Sequence, residues 1–309
     1  MDASIVIVCM NNMRNLLPCL NSIKEHTHKV NYDIWVVAYL FSKENLEILR
    51  QEYPDAHVIE SNEIRGFSEN NNLALRQISA KYTLVLNDDT LFKEPVLDKL
   101  FESIESTPNA AIMSPKLLYG DGSLQLCGVP PRDIWYYVRL VIGFNKESDK
   151  ENEFANKKGI FKTYNICGAC FLIKTDVFRE LGFFDEYYFF CPEDIAFSTL
   201  ANEKGYSVYT NADVSLYHLQ GKTSSKVKPA TLPAERKGCI KFFSKGNLLL
   251  YYLLATYVFL LCAFKCLCYT IKLNEIDRVA NRNCMASIFS SKTPKEIFTK
   301  YYLKLNTKR

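Results

Sequence analysis

The sequence has little net charge, and it lacks the leader that marks most secreted chains. Its 38 Lys and Arg residues nearly balance 34 Asp and Glu, and a net charge of +4 is too small to indicate a nucleic-acid partner. No basic region with an apolar signal segment follows the opening Met1-Asp2-Ala3-Ser4. We therefore expect a protein of the reducing cytosol that binds no nucleic acid.

The sequence also lacks a complete cysteine-based metal motif, although it contains 11 cysteines. Cys167-Gly168-Ala169-Cys170 has CxxC spacing, but no second CxxC and no paired histidine motif completes a zinc site. Apolar residues follow it directly. We interpret Cys167 and Cys170 as structural strand residues rather than as metal or redox groups.

Apolar runs of strand length alternate with amphipathic stretches in the first part of the chain. The runs cover 4–9, 33–38, 56–60 and 82–86. The 309 residues, with 48% hydrophobic content, suffice for a large core. Repeated β-α-β units with continuous apolar strands predict an α/β fold, with a mostly parallel sheet covered by helices on both faces.

The last part of the chain differs in composition. Residues 221–237 are polar and contain two prolines, so we interpret them as a linker to a helical region over 238–309. Within that region, 248–264 is an apolar and aromatic run of borderline length for a membrane span. Basic residues flank it, which favours a helix that lies on, or is anchored at, the inner face of the cell membrane. The alternatives are a buried helical hairpin and an oligomer contact.

An acidic motif, Asn87-Asp88-Asp89-Thr90, follows the apolar run over 82–86. Ligands of open α/β sheets bind at the carboxyl ends of the strands, so these polar groups face the expected site. Oxygen ligands there suit Mg²⁺ or Mn²⁺, which typically bind one or two carboxylates together with substrate phosphates. The alternative is a turn or a helix cap, for which Asn and Asp are common.

Several further motifs occur in the order that is known from one protein family. In chain order, the matching segments are Arg65-Gly66-Phe67-Ser68-Glu69-Asn70-Asn71-Asn72, Leu86-Asn87-Asp88-Asp89-Thr90, Asp121-Gly122-Ser123-Leu124-Gln125, Gly168-Ala169-Cys170-Phe171-Leu172-Ile173, Gly182-Phe183-Phe184-Asp185-Glu186, Pro192-Glu193-Asp194 and Tyr217-His218. With them the chain resembles the family 2 glycosyltransferases, in particular the rhamnosyltransferase-like branch that acts on cell-surface polysaccharides.

The resemblance implies a GT-A fold over 1–220, with a Rossmann-like nucleotide-sugar-binding half over 1–115 and an acceptor-binding half over 116–220. It also implies an inverting transfer of a sugar, rhamnose or another hexose, from a nucleotide-diphosphate donor. The expected donor is UDP- or dTDP-linked. The expected acceptor is a hydroxyl of a glycan or a lipid-linked glycan at the cytoplasmic membrane surface.

The resemblance implies a role for each matched position. The implied catalytic residues are Asp194, as the base that takes the proton of the acceptor hydroxyl, and Glu193. The implied ligands of Mg²⁺ or Mn²⁺ are Asp89 and His218. The implied nucleotide-sugar site comprises Asn11, Tyr39, Arg65, Gly66, Phe67, Asn72, Asn87 and Asp88, and the implied acceptor site comprises Gly168, Asp185 and Glu186.

Some of these positions have alternative interpretations. Asp194 could cap the helix that follows it, and Glu193 could orient the site or bind the acceptor. His218 could bind metal, contact the diphosphate or be structural. Either Asn11 or Asn12 matches the polar residue that the family places after its first strand.

One segment departs from the family. Its members usually carry an Asp-Asn pair after the second strand, where the Asp reads the nucleotide base, but this chain has Ala38-Tyr39 there. Tyr39 could stack on the base instead, and the missing carboxylate leaves the identity of the nucleotide open. It also favours a rival hypothesis, a catalytically silent subunit that binds nucleotide or carbohydrate in a polysaccharide assembly. A nucleotidyltransferase is a second rival.

Overall fold

The secondary structure follows the predicted alternation of strands and helices through the first part of the chain. The structure is a computed structural model, and it describes residues 1–143, 153–219 and 223–306. The strands are β1 Ala3–Met10, β2 Tyr32–Tyr39, β3 His57–Ser61, β4 Tyr82–Asn87, β5 Thr90–Leu91, β6 Ala110–Leu118, β7 Leu124–Leu126, β8 Ile160–Thr163, β9 Cys170–Lys174 and β10 Ser207–His218. The helices are α1 Met13–His26, α2 Lys43–Glu52, α3 Phe67–Leu75, α4 Val96–Ser106, α5 Ile134–Ile142, α6 Thr175–Glu180, α7 Glu193–Glu203, α8 Thr223–Phe243, α9 Leu248–Ile271, α10 Glu275–Ser287 and α11 Pro294–Asn306.

The ten strands of the described residues form one mixed sheet. Its order is β3-β2-β1-β4-β9-β6-β10-β5, with β7 beside β6 and β8 beside β10. β1 pairs in parallel with β2 and β4, and β2 pairs in parallel with β3. β9 runs antiparallel between β4 and β6 and joins this parallel block to the second half. The predicted α/β fold with a mostly parallel sheet flanked by helices is confirmed.

The sheet is buried on both faces, as its continuous apolar strands predict. Successive side chains of a strand point to opposite faces. Along β1, Ile5 and Ile7 therefore pack into the core on one face, whereas Val6 packs into the core on the other. Helices α1, α2 and α4 cover the first face, and α3, α6 and α7 cover the second.

The ends of several strands meet at one edge of the sheet, where ligands of such folds bind. β1, β2 and β4 all end there. β9 begins there because it is antiparallel, with Cys170 opposite Leu86. β10 reaches the same edge with His218, which pairs with Thr90 of β5. The topology thus brings segments that are far apart in sequence to one place.

The prediction of a linker over 221–237 is wrong. Helix α8 begins at Thr223 and continues through this segment, while 221 and 222 lie outside the described residues. Pro229 and Pro233 lie inside the helix, although an interior proline costs a helix about 3 kcal/mol. Packing offsets this cost, because Ala230 and Ala234 are fully buried in a core that α8 shares with α11.

The four C-terminal helices α8 to α11 pack on the sheet domain. One core joins α5 to α8, α9 and α10, and a second joins α8 and α11 to Phe189. The predicted C-terminal apolar helical extension is present, and it is part of the same packed body. Consequently, side chains from this region can reach the edge of the sheet.

Helix α9 is long and apolar enough to cross a membrane, and it is the one such helix among the described residues. One face packs on its neighbours through Leu254, Val258 and Cys262. Only 22% of its most apolar stretch is buried. The opposite face carries an exposed row that we call the apolar stripe, formed by Leu249, Leu253, Leu260, Phe264, Leu267 and Ile271.

Candidate active site

A cavity of about 300 Å³ opens at the edge of the sheet where the strands end. Seven of the predicted nucleotide-sugar and metal residues line it, namely Tyr39, Arg65, Gly66, Phe67, Asn87, Asp88 and Asp89. They come from the ends of β2 and β4 and from the start of α3. The fold therefore brings together motifs that the sequence separates by up to about fifty residues, as the carboxyl-end rule predicts.

Asp89 and His218 form a pair beside this cavity. The His218 Nε2 atom lies 3.2 Å from Asp89 Oδ1, and the two side chains are 12% and 13% exposed. The other ring nitrogen, Nδ1, lies 3.1 Å from Gln125 Oε1. When the Nδ1–H of a histidine donates to such an acceptor, the Nε2 atom is left to bind a cation. Metal-binding histidines are usually held by a hydrogen bond of this kind.

The donor set of this pair fits a divalent cation that shares its ligands with a substrate. Among the residues described, no group of three or more His, Cys, Asp and Glu side chains is arranged to hold a metal ion. Mg²⁺ and related cations usually keep several waters and bind one or two protein groups together with phosphate oxygens. Asp89 and His218 meet that requirement, because nucleotide diphosphate and water would complete the coordination.

Asn87 and Asp88 stand next to this pair. The Asn87 backbone N–H donates to the Ala169 carbonyl at 3.0 Å, and its Nδ2 lies 3.5 Å from His218 Nε2. Asp88 lines the cavity, and burial raises the pKa of its carboxyl to about 6. The motif that the sequence singled out therefore points its polar groups at the cavity rather than serving only as a turn.

Gly66 allows two segments of backbone to touch. A Cβ atom at this position would lie 2.2 Å from the carbonyl oxygen of Phe189 and 2.7 Å from its Cα. The next N–H, of Phe67, donates to the same carbonyl at 3.1 Å. The start of α3 is thereby fixed against the 182–192 segment, and both Gly66 and Phe67 reach the cavity.

Of the three asparagines of α3, only Asn70 lines the cavity. Asn70 lines the cavity, accepts from the Ser61 hydroxyl at 2.7 Å and donates to the Arg65 carbonyl at 3.3 Å. Asn72 is fully buried, and its Nδ2 donates to the Phe184 carbonyl at 2.9 Å. The structure thus places Asn72 under the 182–192 segment, away from the lining of the cavity.

Two further predicted positions are placed after the first and second strands. Tyr39 lines the cavity, and its hydroxyl accepts from the Arg65 N–H at 3.3 Å. Asn11 turns towards α2, where its Oδ1 accepts from the Ser42 N–H at 3.0 Å and from Asn45 Nδ2 at 2.9 Å. Asn12 lines the cavity instead. The sequence did not decide whether Asn11 or Asn12 belongs to the site. In the structure, Asn12 is the one that a ligand in the cavity can contact.

Asp194 and Glu193 lie at the start of α7 in different surroundings. Asp194 is half-buried, with Oδ2 accepting from the Gly168 N–H at 3.1 Å and Oδ1 accepting from the Ile195 N–H at 2.8 Å. Both carboxylate oxygens thus accept from backbone N–H groups, and the first turn of a helix favours negative charge. Glu193 is buried with no hydrogen-bond partner for Oε2 among the residues described. Burial, reinforced by the charge of Asp194, raises the pKa of Glu193 well above its usual range.

The position of Asp194 relative to the cavity follows from Gly168. A Cβ on Gly168 would lie 3.5 Å from the tip of the Phe67 ring, which lines the cavity, and 3.8 Å from Asp194 Oδ2. Gly168 therefore leaves the Asp194 carboxylate close to the Phe67 side of the cavity. The cap interpretation is not supported, because α7 begins at Glu193 with Pro192 at its N-cap, and no side chain among the residues described makes a capping hydrogen bond there.

The remaining acceptor-side residues are exposed. Asp185 accepts from the Tyr187 N–H at 2.9 Å. Glu186 pairs with Arg76 at 2.7 Å and also accepts from Asn72 Nδ2 at 2.9 Å. They lie on the rim formed by 182–192, and neither lines the cavity.

The C-terminal helices contribute four side chains to the cavity that were not predicted from the sequence. Val227 and Thr231 of α8 and Phe298 and Tyr302 of α11 line the cavity. The rings of Phe298 and Tyr302 stack with centroids 5.2 Å apart. Their spacing of four residues marks one face of a helix, but no local signal directs that face to the sheet edge.

A salt bridge holds the start of α11 against the start of α3, next to Gly66. Lys295 Nζ lies 2.6 Å from Glu69 Oε1. The other oxygen of the same carboxylate, Oε2, accepts from the Gly66 N–H at 3.1 Å. Glu69 thus joins the start of α3 to the start of α11, and the cavity has walls from both ends of the chain.

Two solved structures have a similar fold. GalNAc-T7, crystallised with UDP, GalNAc and Mn²⁺, matches over 71% of this chain and 44% of its own, with a TM-score of 0.55 and 14% identity. The mannosyltransferase PcManGT from Pyrobaculum calidifontis, in complex with GDP-Man and Mn²⁺, matches over 99% of this chain and 80% of its own, with a TM-score of 0.53 and 15% identity. The predicted GT-A fold is confirmed.

Two curated proteins are similar in sequence. The O-antigen biosynthesis protein RfbC of Myxococcus xanthus is 24% identical over 224 residues, which is 69% of this chain and 17% of that protein. The low-salt glycan biosynthesis hexosyltransferase Agl10 of Haloferax volcanii is 26% identical over 179 residues, which is 56% of this chain and 55% of that protein. The matches therefore span about half or less of each relative's length.

The family profile of "Glycosyl transferase family 2" matches residues 4–182. That range is more than half of the chain. It contains the segment over 65–72, the acidic motif over 87–90 and most of the sheet. The predicted resemblance is confirmed, and the chain belongs to glycosyl transferase family 2.

Proposed function

We propose that this protein is an inverting glycosyltransferase that moves a hexose, such as rhamnose, from a nucleotide-diphosphate donor to a hydroxyl of a glycan or lipid-linked glycan. The observation that carries the proposal is an acidic strand end that lines the cavity, with a histidine paired to it and a separate carboxylate close to Phe67 of the lining. Asp89 and His218 lie on one side, and Asp194 lies beyond Phe67 on another. The related O-antigen and glycan biosynthesis proteins support a role in cell-surface polysaccharide synthesis.

The roles that we propose for these side chains follow from their charges. Asp89 and His218 would hold Mg²⁺ or Mn²⁺, which neutralises negative charge on the departing diphosphate, so that no proton donor is needed there. Asp194 would accept the proton of the acceptor hydroxyl as the oxygen attacks the sugar carbon. Glu193, kept neutral by burial, would leave Asp194 as the charged member of the pair.

The nucleotide half of the cavity has an aromatic wall where the family usually reads the base with a carboxylate. Tyr39 stands at the position of the missing acid, and Phe298 and Tyr302 line the same cavity. Aromatic rings recognise the face of a base rather than its hydrogen-bond pattern. We therefore expect binding of UDP or dTDP with modest selectivity between bases. Asn12, Arg65 and Asn70 would supply the polar contacts.

The acceptor would approach between Gly168 and the rim that carries Asp185 and Glu186. The apolar stripe of α9 supports attachment to the inner face of the cell membrane, because one face of this helix is packed and the other is exposed and apolar. A helix with one face committed to protein contacts suits a position on the membrane surface better than a span. Acceptors carried by a lipid would be delivered at that surface.

A thermal-shift screen tests the proposed donor site. We expect UDP or dTDP, each with Mn²⁺ or Mg²⁺, to raise the melting temperature, since a ligand that binds the native state stabilises it. A nucleotide present at about 100 times its Kd should add about 2.7 kcal/mol. The metal alone and the nucleotide with EDTA are the controls. No shift with UDP, dTDP or GDP would contradict the donor site.

Substituting Tyr302 tests the aromatic wall contributed by α11. We expect Tyr302→Ala to weaken nucleotide binding by about 1–3 kcal/mol, the usual value of a base–aromatic stack. Leu303→Ala is the matched control, because Leu303 follows in the same helix and is 53% exposed. Titration calorimetry gives both affinities. Equal affinities for the two variants would show that α11 takes no part in base binding.

A further inference from the structure

A second cavity, of about 420 Å³, lies where α8 ends, α9 begins and α10 connects to α11. It is separate from the nucleotide cavity, and the two share no lining residue. Three lysines line it, Lys237, Lys241 and Lys292, and its described lining contains no Asp or Glu. The cavity is therefore cationic, and its chemistry suits an anionic ligand.

Lys237 is the buried member of this group, with 5% of the residue exposed. Its Nζ donates to the carbonyls of Ile288 at 3.0 Å and Ser290 at 2.6 Å. An ammonium group has three N–H donors, so one remains for a ligand. The same Nζ stands 5.4 Å from the centre of the Tyr251 ring.

Among the residues described, no carboxylate forms a salt bridge with Lys237. A buried charge is costly unless it is paired, and burial lowers the pKa of this ammonium. Two carbonyl contacts orient the group without neutralising it. An anion in the cavity would supply the missing negative charge.

Lys241 and Lys292 are exposed and stand at the mouth of the same cavity. Ser291 also belongs to the lining, as does Ser244, whose hydroxyl donates to the Lys241 carbonyl at 3.0 Å. Neighbouring carboxylates have other partners: Glu296 accepts from the Thr293 N–H at 2.7 Å, Glu186 pairs with Arg76, and Glu235 pairs with Arg236. Lysine and hydroxyl donors around one cavity are typical of a phosphate site.

The cavity adjoins the exposed apolar face of α9. Leu248 and Tyr252 line it, and they are 68% and 52% exposed. The apolar stripe continues from the next residue, Leu249, along the helix. Tyr187 lines the cavity on the other side, two residues after Asp185 of the acceptor-side rim. A polar, cationic cavity next to an apolar helix face matches the two parts of a lipid.

We propose that this cavity binds the phosphate headgroup of a membrane lipid, with Lys237 at its base and Lys241 and Lys292 at its mouth. The apolar stripe of α9 then contacts the acyl region. The inference rests on the proposed membrane attachment, and it adds a defined headgroup site that orients the acceptor-side rim towards the bilayer. The occupant is a lipid rather than a soluble phosphate compound because the cavity opens beside the stripe.

Vesicle binding tests the site. The protein is sedimented with vesicles of phosphatidylcholine alone and of phosphatidylcholine with phosphatidic acid. Each lysine near an anionic bilayer contributes about fivefold to binding, so Lys241→Gln/Lys292→Gln should bind the phosphatidic acid vesicles about thirtyfold more weakly. The control Lys272→Gln/Lys300→Gln loses the same charge from exposed positions outside the cavity, and it should lose at most about fivefold.

Several outcomes would overturn the inference. They are equal losses in the two double variants, no loss in either, and no binding of the wild type to phosphatidic acid vesicles. A rise in melting temperature with inorganic pyrophosphate that the cavity variant loses, while its vesicle binding stays unchanged, would assign the site to a soluble phosphate compound instead.

The single variants Lys241→Gln and Lys292→Gln, each expected to lose about fivefold, replace the double variant if its own melting temperature falls. The thermal shift with nucleotide separates this inference from the proposed enzyme activity. It should be the same in the wild type and the cavity variant, so its absence from both would count against the donor site and not against the lipid site.

Discussion

Replacing Asp194 by asparagine is expected to lower the rate of nucleotide-sugar hydrolysis by about 10²–10⁴-fold, the usual contribution of a general base. Water takes the place of the acceptor in this reaction, so no acceptor has to be identified. Asn keeps the size of the side chain but cannot take a proton. Nucleotide binding, measured by thermal shift, should stay at the wild-type level, because Asp194 lies outside the nucleotide cavity.

The neighbouring Glu193→Gln is the matched variant. Glutamine has the shape of a protonated glutamate, and burial keeps Glu193 protonated at neutral pH. We therefore expect this variant to retain most of the hydrolysis rate. If Glu193→Gln loses as much rate as Asp194→Asn, or if Asp194→Asn keeps its rate, the proposed roles of the two carboxyls are wrong.

The pH dependence of stability provides a control on the protonation of Glu193. Its folded-state pKa is raised above the ordinary value of 4.5, so its contribution to stability is fully present below that value and is lost as pH rises towards the folded-state pKa. Glu193→Gln removes this loss. The melting temperatures of variant and wild type should be similar near about pH 5, and the variant should be the more stable near about pH 8.

Replacing Asp89 by alanine is expected to lower metal-dependent hydrolysis of the donor by about 100-fold or more, because charge stabilisation by a bound cation is worth several kcal/mol. Unlike Asp194→Asn, this variant should also lose the part of the nucleotide affinity that depends on metal. His218→Ala should raise the Mn²⁺ concentration that half-maximal hydrolysis requires, since Nε2 of His218 is the second proposed ligand.

Asp55→Ala is the control for the loss of one negative charge. Asp55 is exposed in the turn before β3, away from the strand ends that form the cavity. It should leave both the rate and the metal requirement unchanged. A hydrolysis rate that depends on metal equally in the wild type and in Asp89→Ala would place the cation elsewhere.

The sequence predicted which residues lie at the strand ends that form the cavity, because their signals are local. An acidic motif directly after a buried strand must lie at the end of that strand, which is how Asp89 was found. The same reasoning could not separate Asn11 from Asn12, because a positive φ of 50° at Asn11 turns its side chain towards α2. Neither the hydrophobic periodicity of the sequence nor the spacing of its motifs predicts that conformation.

The contribution of the C-terminal helices could not be predicted for a different reason. The polar residues and two prolines of α8 indicate a linker locally, but the helix is stabilised by contacts with α10 and α11 that form only in the folded chain. The bond from Lys295 to Glu69 joins residues 226 positions apart. No local sequence pattern predicts such a pairing. Tyr302 could therefore not be placed at the cavity from the sequence alone.

The products released from a nucleotide-sugar provide the most direct test of the central claim. With the donor whose nucleotide gives the thermal shift, the wild type should release the nucleoside diphosphate and free sugar only when Mn²⁺ or Mg²⁺ is present, and Asp89→Ala should release neither at a comparable rate. Release of sugar 1-phosphate and nucleoside monophosphate, from attack on the phosphorus next to the nucleoside, would indicate a nucleotidyltransferase. No release would indicate a silent binding subunit, and release unaffected by Asp89→Ala would contradict the proposed metal site.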